Sequence, residues 1–233
     1  MKRQSVIFTI IFGIVGLIAL QIPFTRLLGA NVRFTLFDFV APTVGVFIGT
    51  SVGVLTVLFI QLVNILLHGG YIPDIGAILR LFPTLFAVAY FAYNSASSRS
   101  KLSSSSGRDI LSFVVPILTI VAFNLHTIGR SAWQYSLLWL IPIGASFFRK
   151  NLFTRSLGAT FTAHAVGGAA WVWAFGLSKQ IWLALIPQVI MERLVMAAGI
   201  SAFYLVFTYI LNFASIRKLT TYKLSTKNKT LSS

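Results

Sequence analysis

The chain has 233 residues, of which 57% are hydrophobic and only 10% charged, and its mean hydropathy is +0.86; that leaves too little charged surface for a soluble domain of this size. Its net charge of +15 lies in loops and at the C-terminal end, without a basic stripe of interleaved aromatics, which argues against nucleic acid and for contact with an anionic membrane leaflet. Cysteine is absent, so disulfides, thiol catalysis and Cys-ligated metals are excluded.

Apolar stretches of about 17–25 residues, the length that crosses a bilayer, run nearly end to end and predict eight helices. The first covers residues 5–22. Lys2 and Arg3 precede it as in a signal peptide, but it is longer than a signal core and no small-x-small cleavage site follows, so it reads as a retained span. A loop with Arg26, Gly29 and Arg33 leads to the second helix, 36–50, and a very short uncharged turn to the third, 52–67. The fourth covers 75–93. Residues 95–107 hold eight serines and read as a flexible linker. The fifth and sixth helices are predicted at 110–125 and 133–148, the seventh at 156–175. The eighth starts near 181 or 187 and continues to about 213. From 217 the chain is polar and basic, and reads as a disordered tail. The second, third and sixth spans are short enough to be re-entrant, so the count is six to eight. No internal repeat is visible, which weakens an inverted-repeat transporter.

Charge fixes the orientation. With Met1 in the cytoplasm, thirteen of the 19 Lys and Arg residues fall in inside segments and four (Arg26, Arg33, Arg130 and Lys179) outside; Arg80 and Arg193 lie within spans. This bias places both termini inside by the positive-inside rule. Trp133, Trp171 and Trp182 then sit at the outer interface, where amphipathic rings collect. The expected architecture is an all-α polytopic bundle in the plasma membrane, one transmembrane domain over 1–216 with the tail 217–233.

Polar residues gather at the outer ends of these spans. Asp38 opens the second helix; Asn64 and His68 stand one turn apart at the end of the third. Asp74 precedes the fourth helix and Arg80 lies just inside it. Asn124, His126 and Arg130 close the fifth, with Trp133 next; Glu192 and Arg193 lie in the eighth, and His164 nearer the middle of the seventh. Ionisable groups at membrane depth are costly, and each calls for a partner or a ligand. Three acids against three arginines can neutralise one another as buried pairs that hold helices in register, and His164 alone reads as a packing residue. Taken together, the groups describe a polar, aromatic-lined pocket open to the outside, with the arginines for anionic or carbonyl groups and Tyr71 or Trp133 to stack on a ring.

Gly45, Gly49 and Gly53 are spaced four apart, which on one helix makes a groove for close packing. Gly13, Gly16 and Ala19 make a looser strip on the first helix that could dock a partner. No phosphate-binding Gly-x-x-x-x-Gly-Lys-Ser/Thr, His-Glu-x-x-His or Gly-x-Ser-x-Gly motif is present. His68, His126 and His164 with Glu192 or Asp74 match no metal-site spacing, so no metal and no cofactor is expected.

The segment 38–68, DFVAPTVGVFIGTSVGVLTVLFIQLVNILLH, resembles the S components of energy-coupling factor transporters, the riboflavin-type ones above all. Asp38, Pro42, Gly45, Gly49, Gly53, Asn64 and His68 carry the resemblance, over about one seventh of the chain. It implies a small membrane protein that binds a vitamin from outside and topples when docked on a transmembrane coupling protein with two ATPases. The family's six helices are fewer than the eight predicted here. The leading expectation is therefore a non-enzymatic membrane subunit for uptake of a small solute. A stand-alone proton-coupled transporter or lipid-handling protein, with Glu192 and His164 relaying protons, is the second reading, and a membrane-embedded enzyme the third.

Overall fold

The computed structural model describes residues 3–26, 33–70, 75–95 and 105–230. The described residues are all-α apart from one short hairpin. In order they form α1 (Arg3–Leu20), β1 (Pro23–Arg26), β2 (Arg33–Thr35), α2 (Phe37–Ile48), α3 (Thr50–Leu67), α4 (Ile75–Leu79), α5 (Leu81–Ser95) and α6 (Ser105–Asp109). A π-helical turn (Ile110–Val114) then leads into α7 (Val115–Leu125), followed by α8 (Thr127–Ser131), α9 (Trp133–Ser136), a 3-10 turn (Leu137–Leu140), α10 (Ile141–Phe147), α11 (Leu152–Ala174) and α12 (Lys179–Thr230). Among the described residues, three stretches are long and apolar enough to cross a membrane: Thr50–Leu67, Gly107–Leu125 and Lys179–Phe213, with mean hydropathy of 2.1, 1.7 and 2.1. Val6–Leu20 and Phe37–Ile48 are shorter apolar helices.

Proline sets several of the breaks. Pro23 follows α1, and a proline disfavours helical backbone in the residue before it. The fourth predicted helix, 75–93, is in fact two. Pro83 has no N–H to give to the carbonyl four residues back and its ring crowds that carbonyl, so α4 stops at Leu79, Arg80 forms a turn and α5 begins at Leu81. The sixth, 133–148, is likewise divided ahead of Pro142 into α9, the 3-10 turn and α10. Pro116 follows the π turn, which re-registers the ladder where a donor is missing.

Two other expectations change. The loop after α1 holds an antiparallel hairpin, with Thr25 opposite Phe34 and Arg26 opposite Arg33. The last helix runs on to Thr230, through most of the predicted tail, because no glycine or proline follows Gly199 to break it. Most of the serine-rich linker, 96–104, lies outside the described residues.

Gly45, Gly49 and Gly53 do not share a helix. Gly49 has φ +95°, which only glycine adopts without strain, and it splits α2 from α3. The two helices fold back so tightly that a Cβ on Gly53 would lie 2.5 Å from the Gly45 Cα. The docking strip on α1 also divides. Gly13 faces open space, whereas Gly16 packs on Ile60 and Phe37, and Ala19 is buried in the same core.

Three buried clusters form the interior. The first joins Phe12 of α1, Phe37 and Val44 of α2, Val57 and Ile60 of α3, and Phe207 of α12. The second joins Phe123, Tyr135, Trp139, Phe161 and Trp182. The third joins Tyr90, Phe91, Leu111 and Ile200. Helix α11 runs through the centre, packed on α5, α7, α10 and α12. Its small residues permit this: a side chain on Gly168 would run into Trp139.

Candidate functional site

A cavity of about 260 Å³ opens between the first two clusters, where α1 and α11 finish and α2 and α12 begin. Its walls follow from helix periodicity. On α12, Trp182, Leu185, Val189 and Arg193 recur at three- and four-residue steps; on α11, His164, Gly167, Gly168 and Trp171 do the same. The hairpin brings Phe34 and Thr35, the start of α2 brings Asp38, α3 brings Gln61, and the α4–α5 break brings Arg80 and Thr84. Tyr135 reaches in from α9.

Arg193 is the best-held charge. It is 5% exposed. Its Nη1 donates to Thr160 Oγ1 at 3.3 Å, and its guanidinium lies 4.8 Å from the centre of the Phe34 ring. Its Nη2 stands 3.9 Å from Glu192 Oε2, which is a weak pairing, and its Nε is buried with no hydrogen-bond partner among the described residues. Adjacent residues on a helix point about 100° apart, so Glu192 turns away from the cavity, and its Oε1 accepts from Gln188 Nε2 at 2.8 Å. Asp38 sits in the first turn of α2, where a carboxylate suits the helix dipole. Its Oδ2 accepts the Thr35 N–H at 2.9 Å, fastening the hairpin to the helix.

The aromatic wall is continuous. The Tyr135 ring lies 4.8 Å from Trp182 and 5.5 Å from His164, both steeply inclined. Trp139 and Phe161 flank His164 at 6.3 and 6.2 Å. His164 Nε2 and Trp182 Nε1 are buried without a hydrogen-bond partner among the described residues. Arg80 is exposed, with its Nε donating to Gly76 O at 3.1 Å.

The predicted constellation therefore divides. Asp38, Arg80, His164 and Arg193 converge on the cavity, and Glu192 lies behind it. Six others do not line it. Asn64 Oδ1 accepts from Gln21 Nε2 at 2.8 Å, tying the ends of α1 and α3, and His68 Nδ1 engages Asn64 O at 2.8 Å as the cap of α3. Asn124 Nδ2 donates to Ile120 O at 2.8 Å and to Ser136 Oγ at 3.0 Å. His126 caps α8 by accepting the Ile128 N–H at 3.3 Å, with its ring 5.0 Å from Trp173. Arg130 Nε donates to Asn124 O at 3.4 Å, and Trp133 is exposed. These groups satisfy helix ends, which compete for nearby polar side chains. Asp74 and Tyr71 lie outside the described residues.

Tyr135 and Gln61 are not among the site residues expected from the sequence, and Trp171 and Trp182 are expected there only at the membrane interface. Gln61 carried a signal, as an amide inside the apolar run of α3; it is buried and its Nε2 donates to Leu81 O at 3.4 Å, beside the α4–α5 break. Among the described residues no three of His, Asp and Glu come together as a metal site.

No family model matches the chain, and no solved structure matches it. It is similar to a protein of Methanocaldococcus jannaschii described as uncharacterized, with 25% identity over 225 residues, covering 88% of this chain and 71% of the relative.

Proposed function

We propose that this chain is a multi-pass plasma-membrane protein that binds a small solute from outside and takes part in its uptake, in the manner of an energy-coupling factor S component. The observation that carries the reading is the cavity at one end of the bundle, walled by aromatic rings and holding Arg193 and His164 with unpartnered buried nitrogens. A buried polar atom without a partner costs about 1–3 kcal/mol, and such groups at membrane depth are drawn to a ligand or an ion path.

Six to eight crossings, with both termini in the cytoplasm, fit this reading. Beside the three apolar stretches, α11 spans 23 residues, about 34 Å at 1.5 Å per residue, and its hydroxyl and small side chains are shielded by neighbouring helices. The orientation rests on the Lys and Arg bias, and it turns the cavity outward. The partners are then the bilayer, the solute and, by the resemblance of 38–68, a coupling protein with ATPase subunits. Gly13, Gly16 and Ala19 do not present a joint surface for that coupling protein, so docking would use another face.

Purification in mild detergent followed by mass spectrometry of extracted small molecules, with thermal melts against a solute panel, tests the reading. A solute that co-purifies and raises the melting temperature supports it; a protein free of ligand and unmoved by every solute defeats it.

A further inference from the structure

The ionisable and hydrogen-bonding groups around the cavity are unequally matched. One carboxylate, Asp38, faces two guanidinium groups, Arg80 and Arg193. Asp38 already accepts the Thr35 N–H. Glu192 does not line the cavity; its Oε1 accepts from Gln188, and its Oε2 stands 3.9 Å from Arg193 Nη2 with no hydrogen-bond partner among the described residues. The donors without partners among the described residues of the cavity wall are the Arg193 Nε–H and the Trp182 indole N–H, and an arginine or an indole nitrogen can only donate. Unpartnered donors, one of them a guanidinium N–H, ask for an acceptor, and a carboxylate is the strongest acceptor for them.

Size and shape narrow the ligand. A cavity of about 260 Å³ lies below the roughly 300–1,000 Å³ of sites for drug-sized molecules. One ring with one short substituent fits. The rings of Tyr135, His164 and Trp182 stand at steep angles to one another, and such an arrangement receives a flat ring edge-to-face.

On the solute-binding reading above, we infer that the cavity takes a single-ring aromatic monoanion, its carboxylate held by Arg193 and its ring enclosed by Tyr135, His164 and Trp182. Arg80, exposed at the rim, attracts the anion toward the mouth.

The test uses full-length protein in lipid nanodiscs, titrated with benzoate, benzamide and benzylammonium, followed by tryptophan fluorescence and calorimetry. Benzoate is expected to bind roughly ten-fold or more tightly than benzamide, as a charge-assisted contact implies, and benzylammonium more weakly than either. Arg193→Gln should abolish the preference, and Arg193→Lys should keep a reduced one. Arg80→Gln should slow benzoate association and flatten its salt dependence while preserving the preference; this variant carries the test if Arg193→Gln does not fold. Equal binding of the three probes, or tightest binding of benzylammonium, overturns the inference. Binding confined to larger or non-aromatic solutes in a wider panel overturns it while leaving solute binding intact. No binding of any solute overturns both readings.

Discussion

The Arg193 guanidinium lies over the Phe34 ring at 4.8 Å, which joins the hairpin to the longest helix across the mouth of the cavity. The contact holds a buried cation that has little else on that side, and it makes the hairpin part of the wall. A cation–π contact contributes about 0.5 kcal/mol when exposed and about 2 kcal/mol when desolvated. Phe34→Ala should therefore weaken ligand affinity roughly 2- to 30-fold. Phe34→Trp, the strongest ring partner for a cation, should keep it. Calorimetric titration with the co-purified ligand measures both, and equal losses in the two variants would assign the effect to hairpin shape.

The Gly53–Gly45 approach makes a sharper stability prediction. A methyl at position 53 would meet the Gly45 Cα at 2.5 Å, and backbone cannot yield as a side-chain tip can. Overpacking costs about 1–3 kcal/mol, and Gly53→Ala should lower the melting temperature in detergent and reduce the folded yield. Gly13 lies inside α1 and faces open space, so Gly13→Ala should keep or raise the melting temperature. Matching melts for the two variants would refute the close α2–α3 packing.

Tyr90 ties α5 to the α10 start. Its hydroxyl donates to Pro142 O at 2.7 Å, and its ring is fully buried next to Gly158. Interhelical hydrogen bonds in membrane proteins average about 0.6 kcal/mol and reach about 1.7. Tyr90→Phe should destabilise by that order and leave solute affinity unchanged, because Tyr90 is remote from the cavity wall. A thermal melt and a binding titration on the same sample check both halves; a loss of affinity without a loss of stability would contradict the assignment.

The apolar runs made the helices legible, because burial in lipid requires a continuous stretch that few other structures produce. The breaks at Arg80 and ahead of Pro142 were signalled by Pro83 and Pro142, but a run of hydropathy averages over a missing donor. The site was half legible. Asp38, His164 and Arg193 stand out as polar groups in apolar helices, and they meet. Asn64, His68, Asn124 and His126 stand out equally in sequence, yet each is engaged by a helix end or a neighbouring side chain. Only the chain's path shows whether a polar side chain serves its own helix or a cavity. Tyr135 and Trp182 were hidden for the opposite reason: aromatic residues are common in such helices, and their convergence on His164 is a tertiary fact.

Orientation decides which side the solute comes from, and the absence of cysteine allows it to be read directly. Ser178 is exposed between α11 and α12, at the cavity end, and Lys150 is exposed between α10 and α11, at the opposite end of α11. On the proposed orientation, Lys150 lies in the cytoplasm and Ser178 outside. Ser178→Cys should react with a membrane-impermeant maleimide in intact cells, and Lys150→Cys only after permeabilisation. Neither substitution touches the cavity, so both variants should keep ligand-induced stabilisation. The reverse labelling pattern would turn the cavity toward the cytoplasm, where it would serve efflux or a cytoplasmic ligand, and uptake from outside would no longer follow.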